Sequence, residues 1–298
     1  MKKLNKIILL LVLVLIIVIA FKLAPKIYRR WSDFLSVKNG VLFEAAFNKD
    51  SDITSMGLSL AGNKTYQITN FAERYAVKMS LNRYTDEVSY RSELVPSNLN
   101  SLYFDGNRSK LGNEYWYNIH IFLPKNWEYS SSPICIMQWH ESPDFDLGEN
   151  WRNPPLALQS DSGSAGTGRN YFIRHRADSK KVTGSFGPYE IDEKIEIEAI
   201  ENDLGRWVRW SFNVKWSYKD DGFIVVVKDG NELFRREKQK NTYNDKKGPY
   251  WKFGIYIPSW KDPAFPEYGS NSYTAYFDSI IIGNKELRMT KHGEYILK

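Results

Sequence analysis

The sequence predicts an all-β domain, a jelly-roll sandwich of two antiparallel sheets preceded by one N-terminal hydrophobic helix. Three observations lead there. Apolar residues alternate with period two through most of the chain after residue 30, the spacing that sends one face of a strand into a core and the other towards solvent. Asp-Gly pairs, which favour tight hairpin turns, separate some of these runs. Long helical periodicity is absent after residue 30. A dozen or so strands in one unit imply two packed sheets, and a curved sheet offers a concave groove able to hold an extended polymer.

The N-terminal segment is unlike the rest. Lys2, Lys3 and Lys6 precede an unbroken apolar run from Ile7 to Phe21, and Lys22, Lys26, Arg29 and Arg30 follow it. With Lys22 snorkelling, the run is near the lower limit for crossing ~30 Å of hydrocarbon. A basic start and a short apolar stretch also describe a secretory signal peptide. Val18-Ile19-Ala20 is a poor cleavage site, however, and Pro25 disfavours cleavage after Ala24. Residues 1–30 are therefore read as an uncleaved signal anchor, with a cleaved signal peptide as the alternative. Residues 31–298 are read as one domain outside the cytoplasm, membrane-anchored, or secreted or periplasmic if the segment is removed. Basic residues flank both sides of the run, so orientation rests on the domain's chemistry and not on the positive-inside rule.

No linker or internal repeat interrupts residues 31–298, a size that all-β domains reach undivided. A single cysteine, Cys135, rules out an intrachain disulfide, and its neighbours Ile134, Ile136 and Met137 mark an inert buried thiol. The net charge of +6 is partly that of the N-terminal segment. The mild basic bias left to the domain gives no case for a nucleic-acid partner. Aromatic residues make up 15% of the chain, with 10 Trp and 19 Tyr, which suits stacking on sugar rings and equally suits a large β core.

The strands follow from the alternation. Val208, Trp210, Phe212, Val214 and Trp216 form one face of a strand, and Arg209, Ser211, Asn213 and Lys215 form the other. Asp221-Gly222 and Asp229-Gly230 bracket Phe223–Lys228, with a further strand near Asn231–Arg236, so this region reads as an antiparallel meander. Similar strands are expected at Gly40–Phe47, Tyr75–Leu81, Val88–Leu94, Tyr115–Leu123, Pro133–His140, Tyr171–Arg176, Tyr250–Ile257 and Tyr273–Ile282.

Three of these segments carry chemistry. In Tyr90-Arg91-Ser92-Glu93-Leu94, Arg91 and Glu93 share a face; they form either a surface ion pair or an arginine aimed at a substrate carboxylate. In Gln138-Trp139-His140-Glu141, Gln138 and His140 share a face at a strand end, where an imidazole can accept a proton near neutral pH. In Tyr250-Trp251-Lys252-Phe253-Gly254-Ile255-Tyr256, Tyr250, Lys252 and Tyr256 line one face, with Gly254 leaving space between. β-Elimination on a uronic acid needs such a set. Arg, Lys or Gln can stabilise charge on the carboxylate, His or Tyr can take the C5 proton, and Tyr can protonate the departing O4.

The segments Arg91-Ser92-Glu93-Leu94, Tyr115-Trp116-Tyr117, Gln138-Trp139-His140, Asn153-Pro154-Pro155-Leu156 and Gly248-Pro249-Tyr250-Trp251-Lys252-Phe253-Gly254-Ile255-Tyr256 resemble the heparin lyase I-like polysaccharide lyases and the related glucuronan lyases. Asp203-Leu204-Gly205-Arg206-Trp207, Val214-Lys215-Trp216 and Asp221-Gly222 extend the likeness, in order, from about residue 40 to 283. The resemblance implies a β-jelly roll whose concave groove binds an acidic polysaccharide and cleaves it by β-elimination. It implies His140, Tyr256 and Lys252 as catalytic residues and Arg91, Gln138, Glu93 and Tyr250 as substrate-binding ones. No cofactor is required. A structural calcium is implied as well, for which Glu44 and Asp278, on the first and last strands, are the candidate ligands. Lys-Lys and Arg-Arg runs are few and scattered, which favours a less sulfated uronan over heparin.

Two other functions compete. A jelly-roll glycoside hydrolase would pair an acid with a nucleophile on one strand, but in Glu190-Ile191-Asp192-Glu193-Lys194-Ile195-Glu196 the last glutamate falls too far along, and the segment reads as a charged loop or edge strand. A non-catalytic glycan-binding protein would share the aromatics and the charge, but has no reason to gather His140, Lys252 and Tyr256 in one groove. Asn63-Lys64-Thr65 and Asn107-Arg108-Ser109 match the frequent glycosylation pattern, and Gly163–Gly168 is a small-residue loop without the Lys-Ser/Thr of a phosphate loop.

Overall fold

A computed structural model describes residues 18, 23–25, 27–29, 31–63, 65–85, 89–128, 130, 132–161, 169–262, 269–289 and 295–297. Apart from Val18, the apolar run Ile7–Phe21 lies outside the described residues, and so does the Gly163–Gly168 loop. Among the described residues no helix is long and apolar enough to cross a membrane. The helix does not stop at residue 30: residues 31–39 are helical. It ends where Gly40, at φ 80°, donates its N–H to the Val37 carbonyl (3.2 Å), the left-handed termination that glycine accepts without strain. Asp33 ties this helix to the domain by accepting from the backbone N–H of Ser101 at 3.0 Å.

Two large antiparallel sheets follow. The eight-stranded sheet runs, in spatial order, Asn231–Glu237, Phe223–Lys228, Trp207–Lys215, Glu114–Phe122, Ser272–Gly283, Arg74–Asn82 and Tyr66–Phe71, with Val41–Ala45 also pairing to Ser272–Gly283. The seven-stranded sheet runs Ile191–Ala199, Asn170–Ala177, Leu156–Asp161, Ile134–His140, Tyr250–Tyr256, Arg91–Pro96 and Leu58–Gly62. The meander lies where alternation puts it. Its Asp229-Gly230 pair has both residues at positive φ (49° and 91°), the geometry of a two-residue hairpin turn. The carboxylate-rich segment near Glu190 is an edge strand with alternating burial.

The core fills the space between the sheets. Val208, Trp210, Phe212, Val214 and Trp216 face inward and are buried, as their spacing requires. Trp139 comes from the other sheet and sits 4.8 Å from Phe212 and 6.2 Å from Trp216, ring centre to ring centre. Aromatic side chains bury large apolar areas each, so much of this protein's aromatic content is structural. The remaining alternate residues point outward. On the seven-stranded sheet they include the candidate site.

Candidate active site

Register brings the three segments together. Tyr250–Tyr256 lies between Ile134–His140 and Arg91–Pro96, with Tyr250 opposite His140, Lys252 opposite Gln138 and Tyr256 opposite Arg91. Directly paired residues share a face, so Arg91, Glu93, Gln138, His140, Tyr250, Lys252 and Tyr256 all project from the outer face of the seven-stranded sheet. The strand Ile134–His140 shifts register against both neighbours near Ile136, and such bulges bend a sheet and re-aim side chains. The irregularity turns Cys135 to the site side, where it is buried and burial raises its pKa.

Gly254 answers a backbone need. Its φ is +144°, and a Cβ there would stand 2.1 Å from the Ser92 carbonyl oxygen of the neighbouring strand. Glycine is required for that close approach of two backbones, so making room for a polymer is not its main task here.

The floor of the site is buried and polar. Glu93 and Gln138 are each 1% exposed, and the Gln138 amide donates to the Glu93 carboxylate. Arg91 faces the other Glu93 oxygen at 3.8 Å and stacks its guanidinium 4.1 Å from the Tyr256 ring centre. Glu93, expected to bind substrate, is engaged beneath the surface by these two groups and orients them. Lys252 is also nearly buried, 5.1 Å from the Tyr250 ring. Burial lowers its pKa, and the Glu93 charge opposes that shift. Tyr250 has its pKa pushed up to about 12 by burial, with the Arg108 cation pulling the other way.

His140 remains partly open, and a carboxylate stands behind it. Its Nδ1 lies 2.7 Å from Glu141, a residue with no exposed side chain. The second Glu141 oxygen accepts the backbone N–H of Arg152 at 2.6 Å. In the tautomer that carries its proton on Nδ1, beside this carboxylate, Nε2 keeps its lone pair and can accept a proton. Glu141 is the main site residue that alternation hides. Strand neighbours point to opposite faces, but the strand ends at His140, and the turn that follows brings the adjacent carboxylate back onto the imidazole.

The proposed calcium ligands sit on the other sheet. Asp278 accepts from the Phe47 N–H (3.4 Å) and from Ser279 Oγ (2.9 Å) and faces Arg74 at 3.8 Å. Glu44 is exposed on the adjoining strand, opposite Ile281. Calcium takes about six to eight oxygens, and a guanidinium beside one of two carboxylates does not fit that ion. Among the described residues no group of three or more His, Cys, Asp or Glu gathers to hold a metal.

The carboxylates of the rival hydrolase segment are engaged with basic or amide partners. Asp192 pairs with Arg174 (2.6 Å) and Arg176 (2.9 Å), Glu190 with Lys240 (2.6 Å), and Glu196 accepts from Asn170 (2.9 Å). They make an ion-paired sheet edge.

Residues 51–281 match the family model described as polysaccharide lyase, more than half of the chain. The chain belongs to the polysaccharide lyase family. A search of the curated proteins returns no match. Among solved structures, the fold is similar to an endo-β-1,4-glucuronan lyase from the fungus Trichoderma reesei, with TM-score 0.56, 16% identity, and coverage of 82% of this chain and 91% of that one. It is also similar to the alginate lyase AlyC3, with TM-score 0.51, 16% identity and coverage of 84% and 92%. At such identities the likeness is one of fold.

Proposed function

We propose that this lyase cleaves a uronic-acid-containing anionic polysaccharide by β-elimination on the outer face of the seven-stranded sheet. The observation that carries the reading is the His140–Glu141 pair on the same face as Arg91, Gln138, Lys252 and Tyr256. Arg91 binds the uronate carboxylate, with the buried Gln138 and Lys252 beneath it, and these groups stabilise the charge that builds as the C5 proton leaves. Burial strengthens such interactions because little water screens them. His140 Nε2, or Tyr256 acting as its phenolate, removes that proton. The C5–H electrons form the C4–C5 double bond, the C4–O4 bond breaks, and Tyr256 delivers a proton to O4. If the C5 hydrogen and O4 lie on one side of the ring, Tyr256 can perform both transfers, and His140 then positions or neutralises the carboxylate.

The test is incubation of the protein with glucuronan, alginate, hyaluronan, chondroitin and heparan-type chains while ultraviolet absorbance is followed. Elimination leaves an unsaturated uronate that absorbs, whereas hydrolysis does not. New reducing ends without absorbance would overturn the reading. Cellular placement is a separate proposal, motivated by the Ile7–Phe21 run and its poor cleavage site. The mature protein keeps its N-terminus and fractionates with membranes, with residues 31–298 outside the cytoplasm. A mature N-terminus at or near Phe21 would instead identify a cleaved signal.

A further inference from the structure

Beside His140 and Tyr250 the surface opens into a cleft of about 310 Å³ whose lining includes Arg108, Ser142, Phe145, Trp151, Lys246 and Lys247. Two large aromatic side chains stand half exposed in it, Trp151 at 51% and Phe145 at 55%. The Trp151 ring is braced by edge-to-face contacts, 5.4 Å to His140 on one side and 5.4 Å to Phe145 on the other. Buttressing at its sides leaves a fixed aromatic surface open to the cleft.

The cations of the cleft differ in their partners. Lys246 pairs with Asp146 (2.5 Å) and Lys247 with Asp105 (2.7 Å). Arg108 instead donates to neutral groups, Ser142 Oγ at 3.1 Å and the Asn107 side-chain oxygen, and lies 4.5 Å over the Tyr250 ring. Among the described residues it forms no salt bridge, and its charge reaches its strand partner Asp105 only weakly, as the last of the influences lowering that carboxyl's pKa. A guanidinium held beside an active site by neutral partners suits a carboxylate brought by a ligand.

We propose that this cleft is a subsite for a uronate residue next to the scissile bond, with the sugar ring on Trp151 and its carboxylate on Arg108. The identity of the sugar rests on the uronan-lyase reading above. The cleft adjoins the proposed chemistry, since Trp151 touches the imidazole and Arg108 covers Tyr250, so one chain can occupy both.

The test measures binding calorimetrically in a Tyr256→Phe background, so that ligand is not consumed. The probes are β-1,4-glucuronate and mannuronate tetrasaccharides, with cellotetraose as the uncharged control. At least one acidic tetramer should bind about tenfold or more tightly than cellotetraose, the scale of one charge-assisted contact. Arg108→Gln should cut that preference several-fold, leaving the part that Arg91 supplies in the adjoining site. Trp151→Ala should weaken all three probes, and Trp151→Phe should restore most of the loss, as stacking requires and a merely structural role does not. In the otherwise native protein, Arg108→Gln should raise KM by a similar factor and leave kcat nearly unchanged. Acidic tetramers that bind no better than cellotetraose, or variants with unaltered affinity, would overturn the subsite even if the native protein generates unsaturated uronate. Tight, Arg108-dependent binding without unsaturated product would uphold the subsite and overturn the lyase reading.

Discussion

Each sheet carries a histidine on its outer face, and the two are built for opposite ends. His120 lies on Glu114–Phe122 of the eight-stranded sheet, flanked across the ladders by Asp278 and Arg209. It is 6% exposed, and its pKa is lowered to about 3, by burial first and then by the Arg74 and Arg209 cations. His140 ends its strand on the seven-stranded sheet, partly open, with the Glu141 carboxylate 2.7 Å from Nδ1. Burial and two arginines keep the first imidazole neutral and out of use. Behind the second stands a buried carboxylate, in contact with one ring nitrogen and leaving the other edge of the ring partly open. Residue type and exposure of one edge do not make a proton acceptor; the group behind the ring does.

The largest effect should come from the proton donor on the His140 side of this contrast. Tyr256→Phe should lower kcat by at least ~10²-fold, the usual scale for a positioned acid or base, with the thermal unfolding temperature unchanged. Turnover near the wild-type rate would remove Tyr256 from the chemistry. Glu141→Gln keeps shape and burial but takes away the charge. It should cut kcat about 10- to 100-fold with little change in KM and alter the pH profile of kcat; an unmoved profile would mean Glu141 is only structural. Gly254→Ala should destabilise the fold by about 2 kcal/mol or more in denaturant titrations, through the positive φ and the contact with Ser92. A silent substitution there would show that the two strands can separate without cost.

The smallest effect belongs to His120 and appears in stability. The unfolded chain protonates this histidine below about pH 6.5, whereas the folded state resists protonation until about pH 3. The unfolded state then binds more protons, so the stability this group contributes is present above pH ~6.5 and is lost as pH falls towards 3. Between about pH 6.5 and 4.5 the loss should be on the order of 2 kcal/mol. His120→Gln should flatten that part of the slope in unfolding experiments while leaving kcat unchanged. An identical slope in the variant would assign the pH dependence to other groups.

The parts of the molecule legible in the sequence are those that obey one period. Strand faces such as Val208 to Trp216 follow alternation, and so do the shared faces of Gln138 with His140 and of Tyr250 with Lys252. What alternation cannot carry was missed. Glu141 acts from the first residue beyond a strand, Arg108 sits on the two-residue strand Arg108–Ser109, and Trp151 lies in an irregular loop. Glu93 has the spacing of a groove residue, yet its burial under Gln138 and Arg91 depends on a neighbouring strand distant in sequence. The helical residues 31–39 escaped because they are largely exposed, leaving little periodic signal.

The contrast between the two histidines reduces to one comparison of rates. Wild type, His120→Gln and His140→Ala are given the same cleavable uronan, and the appearance of unsaturated uronate is followed by ultraviolet absorbance. Equal rates are predicted for wild type and His120→Gln, with a loss of about 10²-fold or more in His140→Ala. A His140→Ala rate matching wild type, or a collapse in His120→Gln instead, would contradict the placement of the chemistry on the seven-stranded sheet.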